Sequence, residues 1–440
     1  MRTVNIGLIG LGVVGGGVAR LINKHHDDYV RDYGIDLRIK RGCARFLEEA
    51  QKCGVPEEAF TNDWHDVVND PDIDIVVELI GGDHPALDIF EAAFKAGKYM
   101  VTANKAMLGR HTEYLGKLAA ENGVAFRCEA AAAGGIPVVH ALEHELNGTE
   151  ILTIAGIMNG TTNYILSRMK LEGGNFADVL ADAQRLGYAE RNPSADVDGF
   201  DAASKIAILG SMGFRTRITT DDVYQQGIRK ISGEDIKVAE EMGCTIKLLA
   251  IARKTPDGVD VRVHPTMIPN SHPLASVNGA MNAVYVVGDA VGETMFYGAG
   301  AGSYPTASAV IGDIFALAEP LSQGQKPLPE QEPFAAVLPI RNIDDLVTRY
   351  YIRLTVEDKV GTLAASTRIF AENGISISEI RQLEGSGDGT CTLVYVTHAS
   401  REGDVKAAIA ALEADDSIRE VASVIRVENI AAWTEGVFAN

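Results

Sequence analysis

The sequence predicts an α/β protein of three parts: an open parallel sheet first, an α+β middle, and a small βαββαβ unit last. Three observations carry this expectation. Strand and helix patterns alternate from the N-terminus to about residue 130, as in a parallel sheet covered on both faces. From 131 to 320 longer helical patterns surround the strands. Beyond "LSQGQKPLPEQEPF" (321–334), rich in Pro, Gln and Glu and read as a linker, the alternation restarts.

The elements follow in order. Residues 4–9 are a short apolar strand, followed by glycines and a helical stretch to about Tyr33. "LRIKRGCA", "DIDIVVELIGG", a helix over about 85–96, "YMVTA", another helix and "VAFRCEA" complete a first domain, 1–130. In the middle domain, 131–320, "ILTIAGIM" reads as a strand and "GEDIKVAEEMGCTIKLLAIAR" as helix then strand. "VDVRVHPTMI" and "NAVYVVGD" are further strands. After a linker, 321–349, the last unit spans 350–427: strand 350–356, a helix from Thr362, strand 375–382, "CTLVYVT", a helix around "DVKAAIAALEA", and strand 421–427.

At 440 residues the chain has ample length for two or three domains. A formal charge of −20 and a pI near 4.9 argue against nucleic acid or anionic membrane as partners. No apolar run approaches the ~18 residues of a membrane span. A strand begins within a few residues of the start, leaving no room for a signal peptide. Cys43, Cys53, Cys128, Cys244 and Cys391 are odd in number and lack CxxC spacing. Reduced thiols in a cytoplasmic protein are expected.

The first βα turn carries Gly10-Leu11-Gly12-Val13-Val14-Gly15. A lone GxGxxG also occurs in plain βα turns. Here it follows a strand and opens a helix, the context in which helix N–H groups meet a dinucleotide pyrophosphate. A Rossmann-type nucleotide domain is therefore expected. An NAD site usually has an acid at the end of the second strand to bond the ribose 2′-OH. This chain has Ala44 and Arg45 there, which favours the phosphate of NADP over NAD, the alternative being a surface Arg.

A second constellation lies further on. "VTANKAMLG" puts Lys105 just past a strand's C-terminal end, where ligands of open α/β sheets bind. "GIMNGTTNYIL" sets small and polar residues, Thr161 among them, straight after a strand. In "LGYAERNPSADVDGFDAASKIAIL" (186–209), Glu190, Asp196, Asp198 and Asp201 precede Lys205 as the chain enters an apolar helix. The bland reading is a solvated loop and a capped helix, with Asp198 as N-cap and Asp201 at N3. The chemical reading is a site where carboxylates take an ammonium group and Lys205 moves a proton, with Asp201 one turn away on the same helical face. Such a lysine needs a pKa lowered by burial or a neighbouring cation.

Together "GLGVVGGGV", "TANKA", "EAAAAGGIP", "NGTTNYIL", "LGYAERNPSADVDGFDAASK" and "GAGAGSYPTASAV" resemble homoserine dehydrogenase, in that order and over essentially the whole chain. The resemblance implies NAD(P)-dependent interconversion of L-homoserine and L-aspartate 4-semialdehyde. It implies Glu190, Asp196, Asp201 and Thr161 as substrate-site residues, Lys205 as proton donor and acceptor, and Lys105 as a second cation touching cofactor or substrate, with Lys205, Lys105 and Asp196 as the catalytic set. Gly187 and Gly302 would join the cofactor site, with a helix over about 305–318 packing back on the first domain. "EAAAAGGIP" would bind a monovalent cation, usually sodium, through Glu129 and the main chain of Ala132, Gly134 and Ile136; a tight interdomain hinge is the alternative. A homodimer, or a tetramer through the C-terminal units, is expected.

Residues 350–427 resemble an ACT domain, a ferredoxin-like unit that binds amino acids and pairs with copies of itself. "VEDKVGTLA" keeps Asp358, Gly361 and Leu363 but has Val360 where proline is frequent. The family context implies threonine as effector; a dimerisation module without ligand is the alternative. "HALEH" (140–144) spells a zinc-peptidase pattern but lacks a third ligand, and reads as a helix face. Two other functions compete: an oxidoreductase for 2-hydroxy acids, which the Lys205 region fits poorly, and a non-enzymatic dinucleotide sensor, which has no need of Lys205.

Overall fold

In the computed structural model, residues 2–328, 334, 337–383 and 389–438 are described. Strands β1 (Thr3–Ile9), β2 (Asp36–Cys43), β3 (Phe60–Thr61), β4 (Ile75–Glu78), β5 (Tyr99–Thr102) and β6 (Phe126–Arg127) form one parallel sheet in the order β3-β2-β1-β4-β5-β6. Its central strands are buried on both faces, which is why they read as unbroken apolar runs rather than alternations. The order reverses between β1 and β4, opening a crevice at the carboxyl ends of these strands.

The second sheet is built from β7 (Ile151–Ile157), β8 (Tyr224–Gln225), β9 (Cys244–Thr255), β10 (Gly258–Pro269), β11 (Met281–Gly288), β12 (Gly292–Ala299), β13 (Val347–Glu357), β14 (Ile377–Leu383), β15 (Thr390–Thr397), β16 (Ser400–Arg401) and β17 (Ile418–Val427). Its main path runs β12-β11-β7-β9-β10-β17-β13-β15-β14, with β8 beside β10 and β16 beside β13. The middle domain and the C-terminal unit thus share one sheet. They join where β10 meets β17 in parallel, Thr266 opposite Arg426 and Met267 opposite Val427. Within the C-terminal unit β13 starts at Val347, and Tyr350, Ile352, Leu354, Phe370, Tyr395 and Leu412 form a separate core.

Three helices position the site. Phe200–Phe214 is apolar on nearly every side and lies buried against β7, β9 and β10. Lys105–Asn122 packs against it from the first domain. Ser303–Ser322 packs back on Val13–Asp28, and Phe315 meets Tyr29 nearly edge-on, ring centres 4.8 Å apart.

Candidate functional site

Lys105 and Asp201 stand at the starts of two helices that meet between the domains. Asn104 caps the first, its side chain accepting from Met107 N. Lys105 Nζ lies 2.5 Å from Asp201 Oδ1. Lys205, one turn beyond Asp201, donates to Asp201 Oδ2 at 2.8 Å and to the Met158 carbonyl at 2.7 Å. An ammonium has three N–H donors, so one remains for a substrate oxygen. Asn159 completes the cluster. It caps helix Gly160–Glu172 through Oδ1, fixing its amide so that Nδ2 donates to both Asp196 (2.7 Å) and Asp201 (2.9 Å).

The electrostatics follow from burial. Lys205 is only 6% exposed, and desolvation pushes its ammonium below the ordinary lysine range. Asp201 opposes that shift and the Lys105 charge adds to it. Burial by itself would raise Asp201, but the two lysines hold its carboxyl well below the usual carboxylate range. Asp196 moves the other way, raised chiefly by burial despite the Asn159 hydrogen bond. Lys105, which desolvation would lower, is raised by the neighbouring acids, Asp201 foremost. The two lysines are therefore shifted in opposite directions, Lys105 up by its acidic neighbours and Lys205 down by burial.

The other residues that the sequence marked for the substrate lie around this cluster. Thr161 donates its hydroxyl to the Tyr188 carbonyl at 2.7 Å and lies beside Asp196. Glu190 is exposed and acts on Lys105 through its charge. Gly187, also exposed, ends the turn after helix Phe176–Arg185. Asp198 does not cap the Lys205 helix, contrary to the sequence reading. Gly199, at φ +92°, occupies the N-cap position without a side-chain bond, and Asp198 instead pairs with both Arg229 Nε and Nη2. Asp201 is correspondingly free of any capping role and serves the lysines.

On the far side of the crevice, Gly10 to Gly15 turn from β1 into helix Val13–Asp28. A Cβ at Gly15 would fall 1.8 Å from the Gly10 carbonyl, so only glycine allows this close helix–strand packing. Gly10 N donates to the Cys43 carbonyl, placing Ala44 and Arg45 beside the loop. Leu11 is buried, whereas Val13 is 71% exposed. Arg45 is exposed and forms no ion pair among the described residues. Gly302 precedes helix Ser303–Ser322, and Ser303 Oγ donates to the Val13 carbonyl at 2.7 Å, joining the second glycine loop to the first. Open backbone at Gly12, which has nothing within 4 Å of its Cβ position, fits a phosphate group there.

The "EAAAAGGIP" loop is tight, with Ala133 and Gly134 both at φ +61°. Glu129, 6% exposed, accepts N–H bonds from Val138, Val139 and His140. Its own N–H donates to Asp313 Oδ2 at 2.8 Å. Asp313 is buried and raised well above the carboxylate range, by desolvation first and by the Glu129 charge next. Two buried acids thus lie beside this loop, in which Val138 N donates to the Ile136 carbonyl at 3.0 Å. In "HALEH" the His140 and His144 rings lie 4.4 Å apart, and the described residues contain no His/Cys/Asp/Glu cluster suited to a metal. All five cysteines are buried.

Asn159, Asp313 and Arg229 escaped the sequence reading. Asn159 carried a signal, since an Asn before Gly-Thr-Thr at a helix start is a recognisable cap. The other two carried none.

Three family models match the chain: "Homoserine dehydrogenase, NAD binding domain" over 10–129, "Homoserine dehydrogenase" over 137–315, and "ACT domain" over 350–414. A homoserine dehydrogenase of Corynebacterium glutamicum is 45% identical, covering 97% of this chain and 96% of its own. The crystal structure of a homoserine dehydrogenase from Thiobacillus denitrificans superposes with a TM-score of 0.91 at 42% identity, over 98% of this chain and 99% of that one. A hyperthermophilic archaeal homoserine dehydrogenase mutant, solved in complex with NADPH, matches with a TM-score of 0.62 at 27% identity, over 71% of this chain and 97% of its own.

Proposed function

The chain belongs to the homoserine dehydrogenase family, and from that premise we propose that Lys205 is the residue that moves the proton. The protein is an oxidoreductase acting on a CH–OH group. It interconverts L-homoserine and L-aspartate 4-semialdehyde with a nicotinamide cofactor. When bound, a nicotinamide cofactor would supply the hydride-transfer chemistry. In the oxidative direction neutral Lys205 takes the homoserine hydroxyl proton; in the reductive direction it returns a proton to the carbonyl oxygen. The observation that carries this reading is a buried lysine with a lowered pKa, anchored by Asp201 and Met158, beside a second lysine that stays charged.

The other roles follow from charge and place. Glu190 and Asp196 take the substrate ammonium, with Asn159 holding Asp196 and Thr161 beside it. Asp201 fixes both lysines. Gly10, Leu11, Gly12, Val13, Val14 and Gly15 cradle the pyrophosphate, and Ala44, Lys105, Gly187 and Gly302 flank the cofactor. Unpaired Arg45 supports NADP as the preferred cofactor, and the NADPH in the archaeal relative agrees with it. Glu129 with the carbonyls of Ala132, Gly134 and Ile136 would hold sodium, offsetting the buried acids.

The regulatory unit is an ACT domain. A cavity of about 330 Å³ lined by Lys359, Gly361, Thr362, Asp415 and Ser417 supports an amino-acid effector, threonine by family context. Edge strand β12 exposes Met295 and Tyr297, an apolar stripe that supports a homodimer, with a tetramer through the ACT units as the larger assembly. No described helix is long and apolar enough to cross a membrane, and a cytoplasmic enzyme is proposed. The test of the activity is nicotinamide absorbance with L-homoserine, a 2-hydroxy acid, NAD and NADP supplied separately. Turnover with homoserine alone supports the reading. Turnover only with the 2-hydroxy acid overturns it.

A further inference from the structure

The turn that carries the substrate acids rests on a segment gripped by the C-terminal unit. Ile228 N donates to the Val197 carbonyl at 2.9 Å. Gly227 lies so close to this turn that a Cβ there would fall 2.2 Å from the Val197 oxygen and 2.6 Å from Asp198 Cα. Arg229 pairs with Asp198. Residues 227–229 therefore back the chain between Asp196 and Asp201.

The same segment is held from the other side. Arg426, on β17 and 2% exposed, donates Nη1 to Gln226 Oε1 at 2.7 Å and Nη2 to the Tyr224 hydroxyl at 3.1 Å, with its guanidinium over the Tyr224 ring. Gln226 Nε2 returns a bond to the Val424 carbonyl at 3.3 Å, and Gln226 N bonds to Val263 on β10. Arg426 is itself fixed by Glu402, whose carboxylate also takes the Tyr350 hydroxyl. A buried, charge-assisted fork of this kind sets geometry more than stability.

We propose that Gln226 and Arg426 are positioning residues for the substrate turn, so that the C-terminal unit is a structural part of the homoserine site. The proposal rests on the homoserine reading for its kinetic readout. Gln226→Met keeps the side-chain volume and removes both polar contacts. Its expected effect is a homoserine KM raised about tenfold, the loss of one hydrogen bond to a charged group. The KM for the nucleotide stays within about twofold, because the glycine loops do not touch this segment. Gln226→Glu keeps an acceptor for Arg426 and recovers the homoserine KM. Tyr224→Phe, which loses one acceptor, raises it less. An unchanged homoserine KM in Gln226→Met, or a nucleotide KM rising in parallel, overturns the proposal. Hydrogen exchange of amides 194–199 reads the same link without substrate: it accelerates in Gln226→Met if the link holds and is unaltered if it does not. A parent enzyme inactive on homoserine with accelerated exchange in the variant would sink the activity while leaving the link standing.

Discussion

Asn159 donates to Asp201 Oδ2 at 2.9 Å, on the same oxygen that accepts Lys205. One capping residue thus sets the carboxylate that anchors Lys205, the lysine proposed to move the proton, and through its second contact it also orients Asp196. Replacing it with alanine removes a cap worth about 1 kcal/mol and frees both acids. The expected outcome for Asn159→Ala is a melting temperature lowered by a few degrees and a kcat for homoserine oxidation reduced by roughly tenfold or more. Melting curves alongside steady-state kinetics separate the two effects. A loss of stability with kcat intact would reduce Asn159 to a cap.

Lys105 holds its own charge and depresses Lys205. Lys105→Gln removes that repulsion and leaves Lys205 as the one cation paired with Asp201 among the described residues, and both changes raise the Lys205 pKa. Under the proposed proton transfer, oxidation requires neutral Lys205, so activity is expected to grow as pH climbs through that pKa. The ascending limb of kcat against pH is expected to move to higher pH in the variant. A limb that stays in place or moves to lower pH contradicts the arrangement.

Arg45 forms no ion pair among the described residues and lies beside the glycine loop, the place proposed for a ribose phosphate. Arg45→Ala is expected to raise the KM for NADP about tenfold, one charge-assisted contact, and to leave the KM for NAD nearly unchanged. Equal effects on both cofactors would count against a phosphate contact.

Glu129 accepts three backbone N–H groups, two on one oxygen and one on the other. In Glu129→Gln the amide NH2 must face at least one of these donors. Such an unsatisfied buried group costs about 1–3 kcal/mol, readable in thermal unfolding. Replacing sodium chloride with choline chloride should slow the parent enzyme and affect the variant less. Activity indifferent to sodium in both would remove the cation from the account.

Much of the site was legible in the sequence because its parts obey local rules. Lys205 and Asp201 share a helical face at i, i−4; Lys105 follows a strand end; the glycine loop sits between strand and helix. What was not legible depends on distant packing. Asn159 and Asp201 are 42 residues apart, and Asp313 reaches Glu129 across 184. Asp198 was misread because Gly199 takes the left-handed turn that begins the helix, leaving the aspartate to find Arg229. The shared sheet was hidden for the same reason: the β10–β17 pairing is formed by residues 160 positions apart, Thr266 and Arg426.

The most direct test of the central claim is the oxidation of L-homoserine by Lys205→Ala, with and without added methylamine. The expected result is a kcat reduced by roughly 10²–10⁴, partly restored by the amine as a free base filling the vacated place. A variant that keeps kcat within about tenfold of the parent, with no response to the amine, would contradict proton transfer by Lys205.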